Sequence, residues 1–112
     1  MLKRISLLLI IPVALLCAQT QSEMNAQARA EFERADAKLH KTYDALLARL
    51  PDAESKQKLE IAQRAWIAFR DAKASFTADQ VRGGSAAPVV RYTSMTESTE
   101  QRVKQLENAF PK

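Results

Sequence analysis

The chain has 112 residues, enough for one domain, and its composition of 46% hydrophobic and 27% charged residues is that of a globular protein rather than a disordered one. Lys3 and Arg4 are the only charged residues among the first 18, so the rest of the chain carries 15 basic and 13 acidic residues, a net charge of +2. So small an excess gives no argument for nucleic acid as a partner, and little for an anionic membrane surface.

The N-terminus is typical of a secretory signal. Lys3 and Arg4 precede an apolar run over residues 5–16, which is too short to cross a bilayer because about 20 residues are needed. Cleavage after Ala18 would release residues 19–112 as a single soluble domain, whereas cleavage before Cys17 would leave a lipid anchor on that thiol. We favour the first route because Leu16 is bulky where lipidation needs a small residue, and we expect a periplasmic protein, with a lipid-anchored or secreted one as the alternatives. Cys17 is the only cysteine, so we expect a domain without a disulfide.

The first predicted helix runs from Ser22 to Leu50, a stretch with neither proline nor glycine. Ser22 and Asn25 supply capping chemistry at its start, and Pro51 ends it because the residue before a proline is disfavoured in the α region. The apolar positions recur every three or four residues, as expected for one buried face: Ala28, Phe32, Ala35, Leu39, Tyr43, Leu46 and Leu50.

Asp52 is placed to cap a second helix that extends to about Asp79. Its predicted buried stripe is Leu59, Ala62, Trp66, Phe69 and Phe76, with the stem of Lys73 filling the gap. The short connection between the two helices predicts an antiparallel hairpin.

Both glycines and Pro88 fall in residues 81–88, which we predict to be a loop. A third helix follows, with a stripe that includes Tyr92, Thr99, Val103, Leu106 and Phe110. The fold class is therefore all-α, an antiparallel three-helix bundle with helices of about 27, 27 and 20 residues.

Residues 63–71 concentrate aromatic and charged side chains, including the only tryptophan. On a helical wheel Trp66 and Phe69 fall on the predicted core face, and we expect them to be core anchors together with Phe32 and Leu39. Arg64 and Asp71 come out near the opposite face, where they are either solvated or available to a partner.

Arg70 lies on the shoulder of the predicted core face, where an unpaired guanidinium would be costly. Asp36 occupies the corresponding shoulder of the first helix. We therefore predict a polar clasp in which Asp36 pairs with Arg70, completed by Gln63 and the hydroxyl of Tyr43.

No arrangement of residues indicates catalysis or a cofactor. His40 is the only histidine and lacks the companions of a metal site, and no serine or cysteine is marked as a nucleophile. Glu31, Glu33 and Asp36 are interpreted as carboxylates on a helix face. We expect a protein that is not an enzyme and that has no cofactor.

Three segments resemble the LprI-type lysozyme inhibitor family of small exported bacterial proteins: MNAQARAEFERADAKLHKTYDALLARL, QRAWIAFRDAKASF and RYTSMTESTEQRVKQL. The resemblance implies an exported helical protein that, in some members, inhibits host-type lysozyme, and it carries no catalytic residues. Members typically have cysteines where this chain has Gln27, Ala74 and Ser94, and an asparagine at His40. The loss of a covalent tie would lower rigidity.

Two functions follow as alternatives. A lysozyme inhibitor would enter a carboxylate-lined cleft with its loop, where Arg82, Gly83 and Gly84 are the candidate contacts, although a chain at +2 gains no steering toward a basic lysozyme. An envelope adaptor or stress-related module without lysozyme activity would instead bind a protein through the outer face of the second helix, which carries Arg64, Ala68 and Asp71, together with the loop.

Overall fold

The computed structural model describes the backbone of residues 13–109 and the side chains of residues 20–109, and the described residues form three helices joined by two turns, with no strand among them. The three helices are α1 (Val13–Arg49), α2 (Ala53–Asp79) and α3 (Ala87–Ala109). Helix α3 packs along both α1 and α2, and α1 and α2 approach each other at few positions. The expected all-α three-helix bundle is confirmed.

Helix α1 is longer than expected, because it begins at Val13 and passes through Ser22 without a break. The prediction that Ser22 and Asn25 cap its start is therefore wrong. The Asn25 side chain lies within the helix and accepts a hydrogen bond of 2.8 Å from Gln21. Residues 1–12 of the predicted signal lie outside the described residues. Between residues 13 and 109, no helix combines the length and the apolar character needed to cross a membrane.

The start of α2 agrees with the prediction. Asp52 has an extended backbone, and its side chain accepts a hydrogen bond of 2.7 Å from the backbone N–H of Ser55. This bond satisfies one of the amide groups that a helix start leaves unpaired. It also holds the pKa of the Asp52 carboxyl below its ordinary value, because the N–H group favours the ionised form.

The turn between α2 and α3 depends on one glycine in particular. Gly83 has a φ of 79°, in the left-handed region that other residues adopt at a cost. Gly84 donates a backbone hydrogen bond of 2.9 Å to the carbonyl of Val81. Helix α3 then begins at Ala87, within the predicted loop, and Pro88 lies in its first turn, where a missing N–H does no harm.

The hydrophobic core lies mainly between α1 and α3. Its fully buried members are Leu39, Leu46, Leu50, Val103 and Leu106, and Tyr43, Leu47, Leu59 and Trp66 pack against them. The stripes predicted for α1 and α3 are therefore confirmed within the described residues, although Phe32 and Tyr92 are only partly buried. Phe110 lies outside that range.

Helix α2 presents a different face from the one predicted. Phe69 is 61% exposed and Phe76 is 74% exposed, whereas Gln63, Arg70 and Ala74 are buried. The prediction of Phe69 as a core anchor is wrong. The observed buried stripe still includes Trp66, but its other members lie about one residue further along the chain than the predicted ones. The reason is that α1 and α3 bring polar and aromatic partners for Arg70 to this side of the helix.

Candidate functional site

Arg70 lies at the centre of a polar cluster that joins all three helices. Its side chain is only 8% exposed, and Nη1 donates to Asp36 Oδ1 on α1 at 3.1 Å and to Thr99 Oγ1 on α3 at 3.4 Å. Nε donates to the neighbouring carboxylate of Asp71 at 3.0 Å. The structure therefore brings Asp36 and Arg70 together as the clasp requires, and two acidic partners compensate one buried cation.

Aromatic rings flank the same guanidinium. Arg70 lies 5.1 Å from the ring centre of Phe32 and 5.3 Å from that of Trp66. Arg102 lies over Trp66 as well, at 5.7 Å. Trp66 thus contacts two guanidinium groups, and each contact is attractive because the ring face is electronegative.

The stacking extends through Phe32 to α3. The rings of Phe32 and Tyr92 are 6.1 Å apart, and Arg91 lies 4.9 Å from the centre of Tyr92. We call this series the cation–π ladder: Arg102, Trp66, Arg70, Phe32, Tyr92 and Arg91. Phe32 and Trp66, two of the predicted anchors, are half-buried in this ladder. We call the ladder and the polar cluster around Arg70 together the polar layer. Leu39, by contrast, is fully buried in the apolar core.

The other two predicted members of the clasp have different partners. Gln63 is buried, but its Oε1 accepts a hydrogen bond of 3.1 Å from Arg102 Nε rather than from Arg70. Tyr43 has no hydrogen bond to Arg70 among the described residues. Burial raises the pKa of the Tyr43 phenol, with a further rise from the charge of Glu60 and an opposing effect from Arg64.

Thr99 and Arg102 are the members of this layer that sequence reasoning did not assign to it. Thr99 belongs to the stripe predicted for α3, and Arg102 lies in the segment RYTSMTESTEQRVKQL, which resembles the LprI-type family. Partial burial lowers the pKa of Arg102. The guanidinium is still charged at neutral pH, because the ordinary pKa of arginine is very high. One feature of the sequence does indicate a polar buried face on α2, because Gln63 and Arg70 lie seven residues apart on one side of the helix.

A groove of about 410 Å³ separates α1 from α2 on the side that α3 leaves open. Its apolar lining consists of Leu39, Tyr43, Leu47 and Ile67, and its polar lining consists of Asp36, His40, Glu60, Gln63 and Arg64. Arg64 is exposed at the border of this groove, so its side chain is solvated and accessible to a partner. His40 lies 3.7 Å from Asp36 at the rim, with its side chain 70% exposed.

The remaining predicted contact residues are at the surface, but two of them are paired. Asp71 is half exposed and is held by Arg70. Arg82 is 79% exposed and forms an ion pair of 2.8 Å with Asp79, and Gly83 and Gly84 are exposed beside it. Among the side chains of residues 20–109 the structure contains no group of three or more His, Cys, Asp or Glu arranged to hold a metal ion.

Comparison with known proteins identifies the family. Residues 17–106 match the family described as lysozyme inhibitor LprI, and this range includes all of α2, most of α1 and α3, and the cluster around Arg70. The chain belongs to the LprI lysozyme inhibitor family. An uncharacterized protein of Rhizobium meliloti (strain 1021) is similar to this LprI-family chain, at 30% identity over 80% of the chain and 73% of the relative. No solved structure matches this chain.

The positions at which the family resemblance implies cysteines differ in their surroundings. Ala74 and Ser94 are buried, on the packed pair α2 and α3, and their small side chains let these helices approach closely. Gln27 is exposed on α1 and donates a long hydrogen bond of 3.5 Å to Glu31. In this LprI-family chain, packing and the polar layer hold α2 against α3.

Proposed function

We propose that this chain is an exported helical protein, without catalytic activity of its own, that binds lysozyme and inhibits it. The observation that carries the proposal is the family match over residues 17–106, which includes every helix that the structure describes. The polar layer around Arg70 supports it physically. Ion pairs and hydrogen bonds that join three helices fix the relative positions of the helix ends, and a fixed surface binds with a smaller loss of conformational entropy.

The turn between α2 and α3 is the part of the surface that best fits an enzyme cleft. It is narrow, because Gly83 lets the chain reverse within a few residues. Arg82 extends from it with 79% of its side chain exposed. A lysozyme cleft holds two carboxyl groups beside the scissile bond, and a guanidinium can pair with a carboxylate through two parallel hydrogen bonds. In this arrangement Arg82 exchanges Asp79 for a carboxylate of the enzyme.

A cell-wall clearing assay with purified chain tests the proposal. We expect tens of micromolar protein to slow clearing by lysozyme, and we expect Arg82→Glu to weaken inhibition by about tenfold or more, since it places an acidic group against the acidic cleft. Arg29→Glu is the matched control, because Arg29 forms a comparable exposed pair with Glu33 at 2.9 Å on α1. Undiminished clearing would contradict the function. Full inhibition by Arg82→Glu would contradict only the role of the turn.

The groove between α1 and α2 supports a second candidate, an adaptor that binds an envelope protein and has no effect on lysozyme. The groove combines an apolar floor with charges of both signs, which suits a peptide segment. Arg64→Glu should remove partners from a pull-down of periplasmic extract, and Arg29→Glu should not. Identical partner profiles for the wild type and Arg64→Glu would exclude this groove.

A further inference from the structure

The face of α2 that points away from the bundle is apolar over four turns. Ile61, Phe69 and Phe76 are 56%, 61% and 74% exposed. On a helical wheel these residues and three exposed alanines fall within an arc of about 100°. We call this surface the outer α2 stripe: Ile61, Ala65, Ala68, Phe69, Ala72 and Phe76.

Nothing in the described part of the chain covers this stripe, because α1 and α3 pack on the opposite face through Gln63, Arg70 and Ala74. Its exposed area is on the order of 400 Å², mostly from the two phenylalanines. A patch of this size is comparable to the largest apolar patch of a typical soluble monomer, and such patches are often functional. The stripe is therefore a candidate docking surface.

We infer that the occupant is a second copy of this chain, whose α2 lies antiparallel on the stripe. The sequence of the stripe is self-complementary in this direction. When Ala68 and Phe69 lie beside the two-fold axis, Ile61 faces Phe76 of the second copy and Ala65 faces Ala72. Each of these contacts then occurs twice, once from each copy, as in an isologous interface. The alanines let the two helices approach closely.

Charges beyond the stripe favour the same register. Lys58 lies one turn before Ile61, and Asp79 lies one turn after Phe76. In the antiparallel arrangement Lys58 of each copy faces Asp79 of the other, and the two helix dipoles oppose each other favourably. Within one chain these side chains are exposed and pair with Glu54 at 3.2 Å and with Arg82 at 2.8 Å, so the contact between copies extends these ion pairs. The charged residues around the stripe, Glu54, Lys58, Lys73 and Asp79, are balanced in sign. That balance suits a second copy better than an anionic membrane, which selects a face rich in lysine and arginine.

The size of the interface sets its strength. Two stripes of on the order of 400 Å² bury about 800 Å² in total, less than the roughly 1,200 Å² of a stable complex. The dimer is therefore weak and depends on concentration. The inference does not rest on lysozyme inhibition, because the stripe lies on a different surface from the turn that carries Arg82. The two surfaces meet at Asp79, the ion-pair partner of Arg82.

Disulfide trapping tests the register directly. In the full-length chain with Cys17→Ser, Ala68→Cys places two thiols beside the two-fold axis, offset by about 1.5 Å along the helices, whereas Ala65→Cys places them about 10 Å apart. A disulfide requires Cα atoms within about 7 Å. We expect mild oxidation to give a covalent dimer from Ala68→Cys, and at least tenfold less from Ala65→Cys.

Two further variants test the chemistry of the contact. Phe69→Glu added to Ala68→Cys should abolish cross-linking, whereas Met24→Glu, at a 43% exposed position on α1, should not. Lys58→Asp should weaken cross-linking, and Lys58→Asp with Asp79→Lys should restore it. Equal cross-linking of Ala65→Cys and Ala68→Cys, which association through the apolar N-terminus would give, overturns the proposal. Failure of Ala68→Cys to cross-link also overturns it.

Discussion

At the residue scale, Arg70 shows how a charged side chain comes to be buried while a phenylalanine beside it is exposed. Its side chain is 8% exposed, and it has carboxylates, a hydroxyl and two aromatic rings as neighbours. Phe69, the next residue along, is 61% exposed. The loss of hydration of the guanidinium is offset by these partners, and removal of one of them would leave a buried group unsatisfied.

Asp52 gives a prediction of pH dependence. Its folded-state pKa is lowered by the Ser55 N–H, so the cap stabilises α2 above the ordinary pKa of about 3.8 and is lost as pH falls through the lower folded value. We expect Asp52→Ala to reduce the melting temperature by about 4 °C at pH 7, and this difference to disappear at low pH. Thermal unfolding of both proteins from pH 7 to pH 2 measures it.

Asp44→Ala is the matched control, because Asp44 is an exposed carboxylate within α1 that caps no helix. Its melting temperature should follow that of the wild type across the range. A constant difference between Asp52→Ala and the wild type at every pH would contradict the role of the ionised cap.

At the element scale, α2 can be placed in the bundle on either of two faces that share Trp66. One face includes Ala62, Phe69 and Phe76, and the other includes Gln63, Arg70 and Ala74. Helical periodicity favours the first, because it counts apolar residues. The second face is the buried one, because its members are either small or have partners on α1 and α3, as Arg70 has in Asp36 and Thr99.

This orientation of α2 predicts an unusual contrast between two apolar substitutions. Phe69→Ser should change the free energy of unfolding by no more than about 0.5 kcal/mol, since the ring is mostly in solvent. Leu39→Ala should cost about 2–5 kcal/mol, since Leu39 is 2% exposed in the core. Urea denaturation of the two variants measures both values. A large loss of stability in Phe69→Ser would contradict the orientation.

At the scale of the whole molecule, α3 is the helix that holds the bundle together. It packs against both α1 and α2, and its Val103 and Leu106 complete the apolar core with Leu39 and Leu46. The hairpin of α1 and α2 predicted from their short connection is present, but the two helices leave a groove between them. The Asp36–Arg70 pair therefore connects two helices that otherwise touch sparsely.

The clasp should thus show a coupling energy that an exposed ion pair does not. A double-mutant cycle with Asp36→Ala and Arg70→Ala should give a coupling of at least about 1 kcal/mol in chemical denaturation. The equivalent cycle with Arg29→Ala and Glu33→Ala, an exposed pair on α1, should give about 0.3–0.5 kcal/mol. A coupling below about 0.5 kcal/mol for the buried pair would contradict its structural role.

The sequence by itself determined the three helices, the cap at Asp52 and the buried faces of α1 and α3. It could do so because the large apolar residues of those two helices recur at the helical period on the buried face, with Leu39 and Val103 as examples. It also indicated the pairing of Asp36 with Arg70, since both lie on the shoulders of their predicted stripes.

Only the tertiary structure decided which face of α2 is buried, where Gln63 and Arg64 point, and that Phe69 and Phe76 remain exposed. The reason is that the burial of a polar side chain depends on its partners. Arg70 and Gln63 are buried because Asp36, Thr99 and Arg102, far away in the sequence, meet them in the bundle. Periodicity along one helix contains no information about those partners.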